Sequence, residues 1–560
     1  MVMANSGEAN GETQLCFICG RPASLQCPSC EDVWFCSSTH GTVHHRPHLS
    51  SCFPWRVETI PGKGRVMVTT RDVLAGETLF MEEPIVHGPN QGRPICLTCY
   101  STVSLDYLCE DCGYPMCDSD CARDPAHRAE CEVLARGERP TFQDGETEAY
   151  HCILPLRLLL LARQDPERFS FADHLMDHEE EREGSEDWLT TERTVVERLL
   201  VSCQAAHHEG MSQAEVRRAV GVLEVNCYEV FSFISKSESV SCGLRGCYPA
   251  ASLLSHSCLA NSRHVWGTSP PYTNTCIATV DIPAGQEVVT SYVHPTTSTQ
   301  RRRAKLRAGW YFDCDCERCG SRTELGSQHS TLRCPACQEP SLLPSQPLSP
   351  LTTPWQCQLC GLQVPGQQVN SLLDKLFADI KKVTEENKFN VEGWLHCLHS
   401  VLKVVHPHHE AVIEIGKFLI PILCRGPGMR TEHFPIELVK RKLELANIQL
   451  AVLTVVDPGY SKSRVKVLYE IVETELYLLF KEDPDQEKIK QTASISKARL
   501  SDIIRVLERL KPSKGFETMI VKASRNMLDK CEEILSSENI TEDLVRWKEQ
   551  SWCLLDLCSY

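Results

Sequence analysis

Leu253-Leu254-Ser255-His256-Ser257-Cys258-Leu259-Ala260-Asn261, LLSHSCLAN, is the stretch on which the reading of this chain turns. A strand-like approach enters a loop that carries an imidazole and, two residues on, a thiol. Further along, Val288-Val289-Thr290-Ser291-Tyr292 reads as a strand ending in a tyrosine. A basic run follows, with Arg301, Arg302, Arg303, Lys305 and Arg307 read as the exposed side of a helix. It leads into WYFDCDCERC, where Cys314, Cys316 and Cys319 offer three metal ligands. A closed structural zinc site needs a fourth.

The bulk composition bounds what such a chain can be. At 560 residues it exceeds one hydrophobic core, and the length predicts about three to five domains. A composition 42% hydrophobic and 24% charged is that of a soluble globular protein. The net charge of -16 argues against nucleic acid as a direct ligand of a globally basic surface. No apolar run reaches the length of about 20 residues that spans a bilayer, so no membrane segment is expected. The polar residues after Met1 do not read as a secretory leader. The expected protein is intracellular, cytoplasmic or nuclear, and monomeric. In a reducing compartment the clustered CxxC pairs among the 32 cysteines indicate zinc rather than disulfides. Of these, 21 fall into four clusters before residue 361, and the rest scatter as small core residues or reduced thiols.

Taken in order, residues 1–14 are polar and expected to be disordered. Cys16, Cys19, Cys27, Cys30, Cys36, His40, His48 and Cys52 then supply eight ligands, enough for two tetrahedral zinc ions. From Trp55 the pattern reads as two strands and a hairpin, with Gly62-Lys63-Gly64 at a turn that needs positive φ. A second eight-ligand set follows: Cys96, Cys99, Cys109, Cys112, Cys117, Cys121, His127 and Cys131. Residues 150–235 read as helical, and the acidic stretch His178–Asp187 as a solvated loop. Thr275–Val280 and Glu287–Tyr292 read as strands about a Pro-Ala-Gly turn. Cys334, Cys337, Cys357 and Cys360 form a further paired set suited to a small zinc ribbon. After Val369 long helical stripes take over, as in Val439, Leu443, Ala446, Leu450 and Leu453, or Leu468, Ile471, Leu476 and Leu479.

These motifs together resemble the SET fold of lysine methyltransferases, whose signature is NHSCxPN, a late tyrosine and a post-SET cysteine cluster. Here Ser255 stands where that family has Asn, and Ala260 where it has Pro. The second eight-ligand set resembles a complete MYND finger, and the first one a MYND finger with His40 at the sixth cysteine. A MYND finger inserted into a split SET domain resembles the SET and MYND domain-containing (SMYD) family, and the additional N-terminal finger its arthropod-type branch. The resemblance implies a multidomain α+β fold. Its parts would be a disordered terminus (1–14), a first finger (15–53), the N-terminal SET part (54–95), a second finger (96–131) and a helical insertion (132–235). The SET core (236–295), a post-SET zinc knot (296–322), a ribbon (323–368) and a helical-hairpin, TPR-like domain (369–560) would follow. It also implies structural zinc and S-adenosylmethionine as cofactors. Gly62, Lys63, Gly64, Asn226, Leu254, Ser255, His256 and Phe312 would contact the latter, and Tyr292 would be the catalytic tyrosine. Cys258 would complete the zinc site of Cys314, Cys316 and Cys319. In the second finger, Cys96, Cys99, Cys117 and Cys121 would share one ion and the other four ligands the second. The implied activity is methyl transfer to a protein lysine, of a histone or another protein. The alternative is an inactive SET scaffold that recruits proline-rich partners through its fingers.

Overall fold

The computed structural model describes residues 22–26, 34–36, 53–89, 94–142, 148–230, 243–267, 272–349, 352–424, 434–481, 484–510, 515–537 and 540. The chain divides into two compact units. The first comprises Met1–Ser255, Ser262–Val289 and Gly309–Tyr311; the second comprises His256–Asn261, Thr290–Ala308 and Phe312–Tyr560. One of the crossings is therefore the Ser255–His256 peptide bond itself, inside the stretch quoted above. Of the first eight-ligand set only Cys36 is described; Cys16, Cys19, Cys27, Cys30, His40, His48 and Cys52 lie outside the described residues.

The first unit is built from short antiparallel sheets. Strands β1 (Trp55–Ile60) and β2 (Gly64–Thr69) form a hairpin whose register closes at Ile60 opposite Gly64. Val66, Met67 and Val68 are consecutive and all buried, so β2 is covered on both faces. The Trp55 indole N–H donates to the Leu79 carbonyl at 3.0 Å and fastens the hairpin to β3 (Thr78–Glu82). Strands β4 (Val86–Pro89), β5 (Cys227–Val230) and β6 (Leu244–Cys247) form a sheet in the order β4-β6-β5. Strands β7 (Ser262–Trp266) and β8 (Asn274–Ala278) join β3 in the order β7-β8-β3. Helices α1 (Ile153–Gln164) and α2 (Gln213–Asn226) cover this core. A reciprocal capping box between Ser212 and Glu215 starts α2.

Three sequence expectations change here. The helical region ends at Asn226 rather than near residue 235: the next four residues pair with β6 as strand β5. Residues 178–187 are not a bare solvated loop. Glu179–Arg182 and Glu186–Thr191 are short helices, and Arg182 is buried because Glu224 pairs with it at 2.5 Å. The strand expected over Glu287–Tyr292 shrinks to Val289–Thr290, because the Tyr292 N–H goes to an imidazole instead of a neighbouring strand.

The second unit holds α3 (Thr299–Trp310) as far as Ala308, a three-stranded ribbon of Leu342–Pro344, Trp355–Cys357 and Gln363–Val364, and a run of helices. These are α4 (Gly366–Asn387), α5 (Val391–Leu402), α6 (Glu410–Ile422), α7 (Ile436–Val456), α8 (Lys462–Lys481), α9 (Gln486–Arg509) and α10 (Phe516–Ser536). From α6 onward each helix packs on the next. Val439, Ala446 and Leu453 are fully buried on α7, as are Leu468, Ile471, Leu476 and Leu479 on α8. No helix among the described residues is long and apolar enough to cross a membrane.

Deleting a side chain from that stripe leaves a cavity the helices cannot close. Leu453→Ala is therefore expected to destabilise the second unit by about 2–5 kcal/mol. A lower denaturant midpoint for loss of helical circular dichroism reads this out; an unchanged midpoint would remove Leu453 from the core.

Candidate functional site

In the second unit, Cys258, Cys314, Cys316 and Cys319 converge, with all four sulfurs within 4.8 Å of one another. A tetrahedron with metal–sulfur bonds of about 2.3 Å has sulfur–sulfur edges of about 3.8 Å. Cys258 lies 3.8 Å from Cys314 and 3.5 Å from Cys319, so the cage matches zinc and is far too wide for a disulfide. Among the described residues three more cages have the same character. Cys96, Cys99, Cys117 and Cys121 gather in one, and Cys109, Cys112, His127 and Cys131 in another. Cys334, Cys337, Cys357 and Cys360 form the last, on the ribbon.

Four thiolates around a divalent ion leave a net charge of about -2, which is expensive to bury without compensation. Arg302 supplies it. Its Nε donates to the Cys258 sulfur at 3.0 Å and its Nη2 to the Cys319 sulfur at 3.6 Å. The remaining N–H groups reach the Thr297 carbonyl, the Thr299 hydroxyl and Glu324, so all five guanidinium donors are used. Glu324 also accepts from Arg318 Nε at 2.9 Å, from the Thr299 N–H and from the Ser330 hydroxyl. The Arg302, Glu324 and Arg318 side chains are essentially inaccessible. Burial would raise the Glu324 pKa, but the two guanidiniums hold it well below the carboxylate range. This corrects the sequence reading of the basic run as an exposed helix face. Arg302 and Arg303 are buried, Lys305 and Arg307 are exposed, and Arg301 pairs with Glu410 at 2.6 Å. Sequence reasoning missed Arg302, Arg318 and Glu324. The available signal was Arg302 and Leu306 at i and i+4, one helix face, directly before the cysteine knot.

His256 fastens this knot to Tyr292. Burial lowers the imidazole pKa to about 4, so the ring is neutral and carries one proton. The Tyr292 N–H donates to His256 Nδ1 at 3.1 Å, which places the proton on Nε2, facing the Cys258 sulfur at 3.3 Å. Both ring nitrogens are thus engaged by protein, and the side chain positions rather than offers a free donor. The Tyr292 ring stands edge-on to Phe312, centroids 6.5 Å apart, and lies 5.3 Å from the His256 ring. The Ser257 N–H donates to the Thr290 carbonyl at 3.0 Å and closes the turn.

The remaining candidate residues lie in the first unit. Gly62 and Gly64 have φ of +80° and +81°, and a Cβ at either would meet no atom within 4 Å. Backbone conformation, not crowding, demands glycine there, and it leaves the turn's main chain open to approach. Lys63 pairs with Glu287 at 2.7 Å. The Asn226 amide nitrogen donates to the Val222 and Met176 carbonyls at 2.8 and 2.9 Å, which ties the end of α2 to the preceding loop. Leu254 is buried and Ser255 half-buried.

The second finger has its own support, which sequence reasoning also missed. His127 Nε2 lies 3.5 Å from the Cys112 sulfur, and its Nδ1 lies 3.1 Å from the buried Glu130 carboxylate. Arg157 on α1 pairs with Glu130 at 2.5 Å and donates to the carbonyls of His87 and Leu97. A carboxylate behind a metal-binding imidazole fixes its tautomer and raises its basicity. The signal was a Glu three residues after the ligand histidine.

No family model matches the chain. It is 26% identical over 374 residues to the SET domain-containing protein SmydA-8, isoform A, of Drosophila melanogaster, covering 62% of this chain and 73% of that one. It is 23% identical over 356 residues to the histone-lysine N-methyltransferase ASHR1 of Arabidopsis thaliana, covering 59% and 68%. With the N-lysine methyltransferase SMYD2-B of Xenopus laevis it shares 26% identity over 273 residues, covering 47% and 60%. A solved SET domain of LSMT, bound to lysine and AdoHcy, aligns with 90% of the chain at 12% identity and a TM-score of 0.26, too low to carry an argument.

Removing a partner of the buried charges should release metal. Arg302→Ala is expected to lower zinc affinity at the Cys258 site by about 10–100-fold, and Glu130→Gln to do the same at the His127 site. Zinc content after dialysis against a moderate chelator measures both. A full complement of zinc in Arg302→Ala would show that the guanidinium does not hold the knot.

Proposed function

We propose that the chain belongs to the SET and MYND domain-containing family, in its arthropod SmydA-like branch, and that it is an S-adenosylmethionine-dependent protein-lysine N-methyltransferase. The observation that carries this reading is the pair of His256 hydrogen bonds, which seats Tyr292 against the cysteine knot. When bound, S-adenosylmethionine supplies a methyl group on a sulfonium sulfur, so the protein needs no nucleophile of its own. The residues present suit such a ligand. In the first unit the Gly62–Gly64 turn exposes main chain and Ser255 offers a short hydroxyl where the family signature has an amide; in the second unit, taken by itself, Phe312 offers an aromatic face. Tyr292 is assigned the orientation of the lysine amine, and Leu254 an apolar wall. A lysine in solution is protonated at neutral pH, and desolvation lowers its pKa toward the neutral, reactive amine. Zinc held by Cys258, Cys314, Cys316 and Cys319 would be structural, with these four ligands tying the turn that carries His256 to the segment that carries Phe312.

The substrate of this reading is a lysine in a histone or another protein, met in the cytoplasm or the nucleus by a monomeric enzyme. The MYND fingers are assigned proline-rich peptide partners, and nucleic acid is not a direct ligand. Ser255, in the place of the family's Asn, favours one second reading, a scaffold with little activity that works through its fingers.

Calorimetry with S-adenosylmethionine on the zinc-loaded protein separates the two, and measurable affinity is expected. Tyr292→Phe is expected to reduce methyl transfer to a protein or peptide panel by about 100-fold or more, with cofactor affinity retained. Undetectable cofactor affinity in the zinc-loaded wild type would leave the scaffold alone. A Tyr292→Phe enzyme of full activity would move the catalytic role elsewhere.

A further inference from the structure

We infer that Glu82 is a positioning residue for the cofactor motif, its carboxylate fixing the turn that delivers Leu254 and Ser255. This rests on the methyltransferase reading given above. Glu82 ends β3 opposite Asn274 in the β8 register and is 2% exposed. One oxygen accepts the Ala250 N–H at 2.7 Å, and the other accepts the Ala251 N–H at 2.8 Å. These amides open the 3-10 turn Ala251–Leu253, and the first amides of such a turn have no partner within it. Leu254 and Ser255 follow directly. The same turn is held by the Tyr228 hydroxyl on the Ala251 carbonyl at 2.9 Å and by the Tyr248 hydroxyl on the Tyr272 carbonyl at 2.7 Å.

Among the described residues Glu82 lacks what buried carboxylates usually have, a cation. The titratable groups facing it are Cys247 on β6, Tyr248 at the head of the turn and Cys276 on β8. Through Asn274, whose amide nitrogen is 3.4 Å from the carboxylate, it also meets His264 on β7. No lysine or arginine among the described residues forms an ion pair with it. An apolar residue of the same shape would make the better core, because an uncompensated buried carboxylate is destabilising. What only the ionised carboxylate does is accept two adjacent amides, one on each oxygen.

Burial raises its pKa from the usual 4.5 to about 7. Protonation turns one oxygen into a hydroxyl that confronts an amide donor, so the turn loosens as pH falls through neutrality. Stability has the opposite sign. Between about 4.5 and 7 the folded chain binds this proton more tightly than the unfolded chain, so Glu82's contribution to stability declines as pH rises and levels off above 7. A merely structural carboxylate would not set cofactor affinity and stability against each other.

The test is calorimetry of S-adenosylhomocysteine on zinc-loaded full-length protein from pH 6 to 9, with amide exchange at Ala250 and Ala251 in the free protein. Wild-type affinity is expected to fall about tenfold between pH 8 and pH 6. Glu82→Gln, isosteric but with one acceptor oxygen, is expected to bind more weakly with a flat profile and to exchange both amides faster. A Glu82→Gln protein with wild-type affinity, wild-type pH dependence and unchanged exchange would overturn the inference. If wild type binds no cofactor at any pH, the methyltransferase reading fails instead, and amide exchange alone decides the role of Glu82: unchanged protection rejects it, lost protection upholds it.

Discussion

The structure of the second unit depends on one electrostatic constraint: the negative charge of a four-thiolate cage must be balanced out of reach of water. Arg302 meets it by direct donation to two sulfurs, and Glu324 then keeps Arg302 and Arg318 from repelling each other. Such a network contributes little if replaced as a whole by apolar groups, yet losing one member strands a buried charge at about 3–5 kcal/mol. It is therefore a device for placement. It joins the HSC turn, the start of α3 and the segment after Cys319, which are far apart in sequence. The same unit extends the network outward, with the Ser298 N–H and Arg301 on Glu410, and His329 between the Thr296 and His408 carbonyls.

The depth of a metal cage decides how much support it needs. In the second finger, Cys109, Cys112, His127 and Cys131 are all buried, and Glu130 and Arg157 stand behind them. On the ribbon, Cys337 is half-buried and Cys360 exposed, and water screens the charge. There a Ser341 hydroxyl at 3.1 Å from the Cys357 sulfur suffices, without any charged partner among the described residues.

What was legible in the sequence follows the range of the interaction. The α7 and α8 stripes were readable because a helix repeats its buried face every few residues. The paired cysteines were readable because two ligands of one ion lie a turn apart. Which pairs share an ion, and that Cys258 joins Cys314, depended on resemblance, since spacing does not encode contacts across 56 residues. Arg302 looked like a solvated charge because the groups that bury it, Glu324 and the Cys258 sulfur, come from other segments. Asn226 had a plausible ligand role, yet its amide nitrogen closes a helix end; the competing acceptor, Met176 O, is 50 residues away. His256 was found by its motif, but not the coupling it makes, because tautomer choice follows from partners that only the fold supplies.

The 61-residue gap between Cys258 and Cys319 also has a consequence for biosynthesis. At about 5–20 residues per second, a ribosome takes roughly 3–12 s to add that stretch. Throughout that interval the newly made Cys258 thiol lacks its cage, while the intervening residues 262–289 belong to the other unit. Neither unit is a continuous segment, so neither reaches its native form as an independently translated fragment. Metal capture at Cys258 therefore cannot precede the synthesis of Cys319, a point at which helices α4 to α10 of the second unit are still to be made.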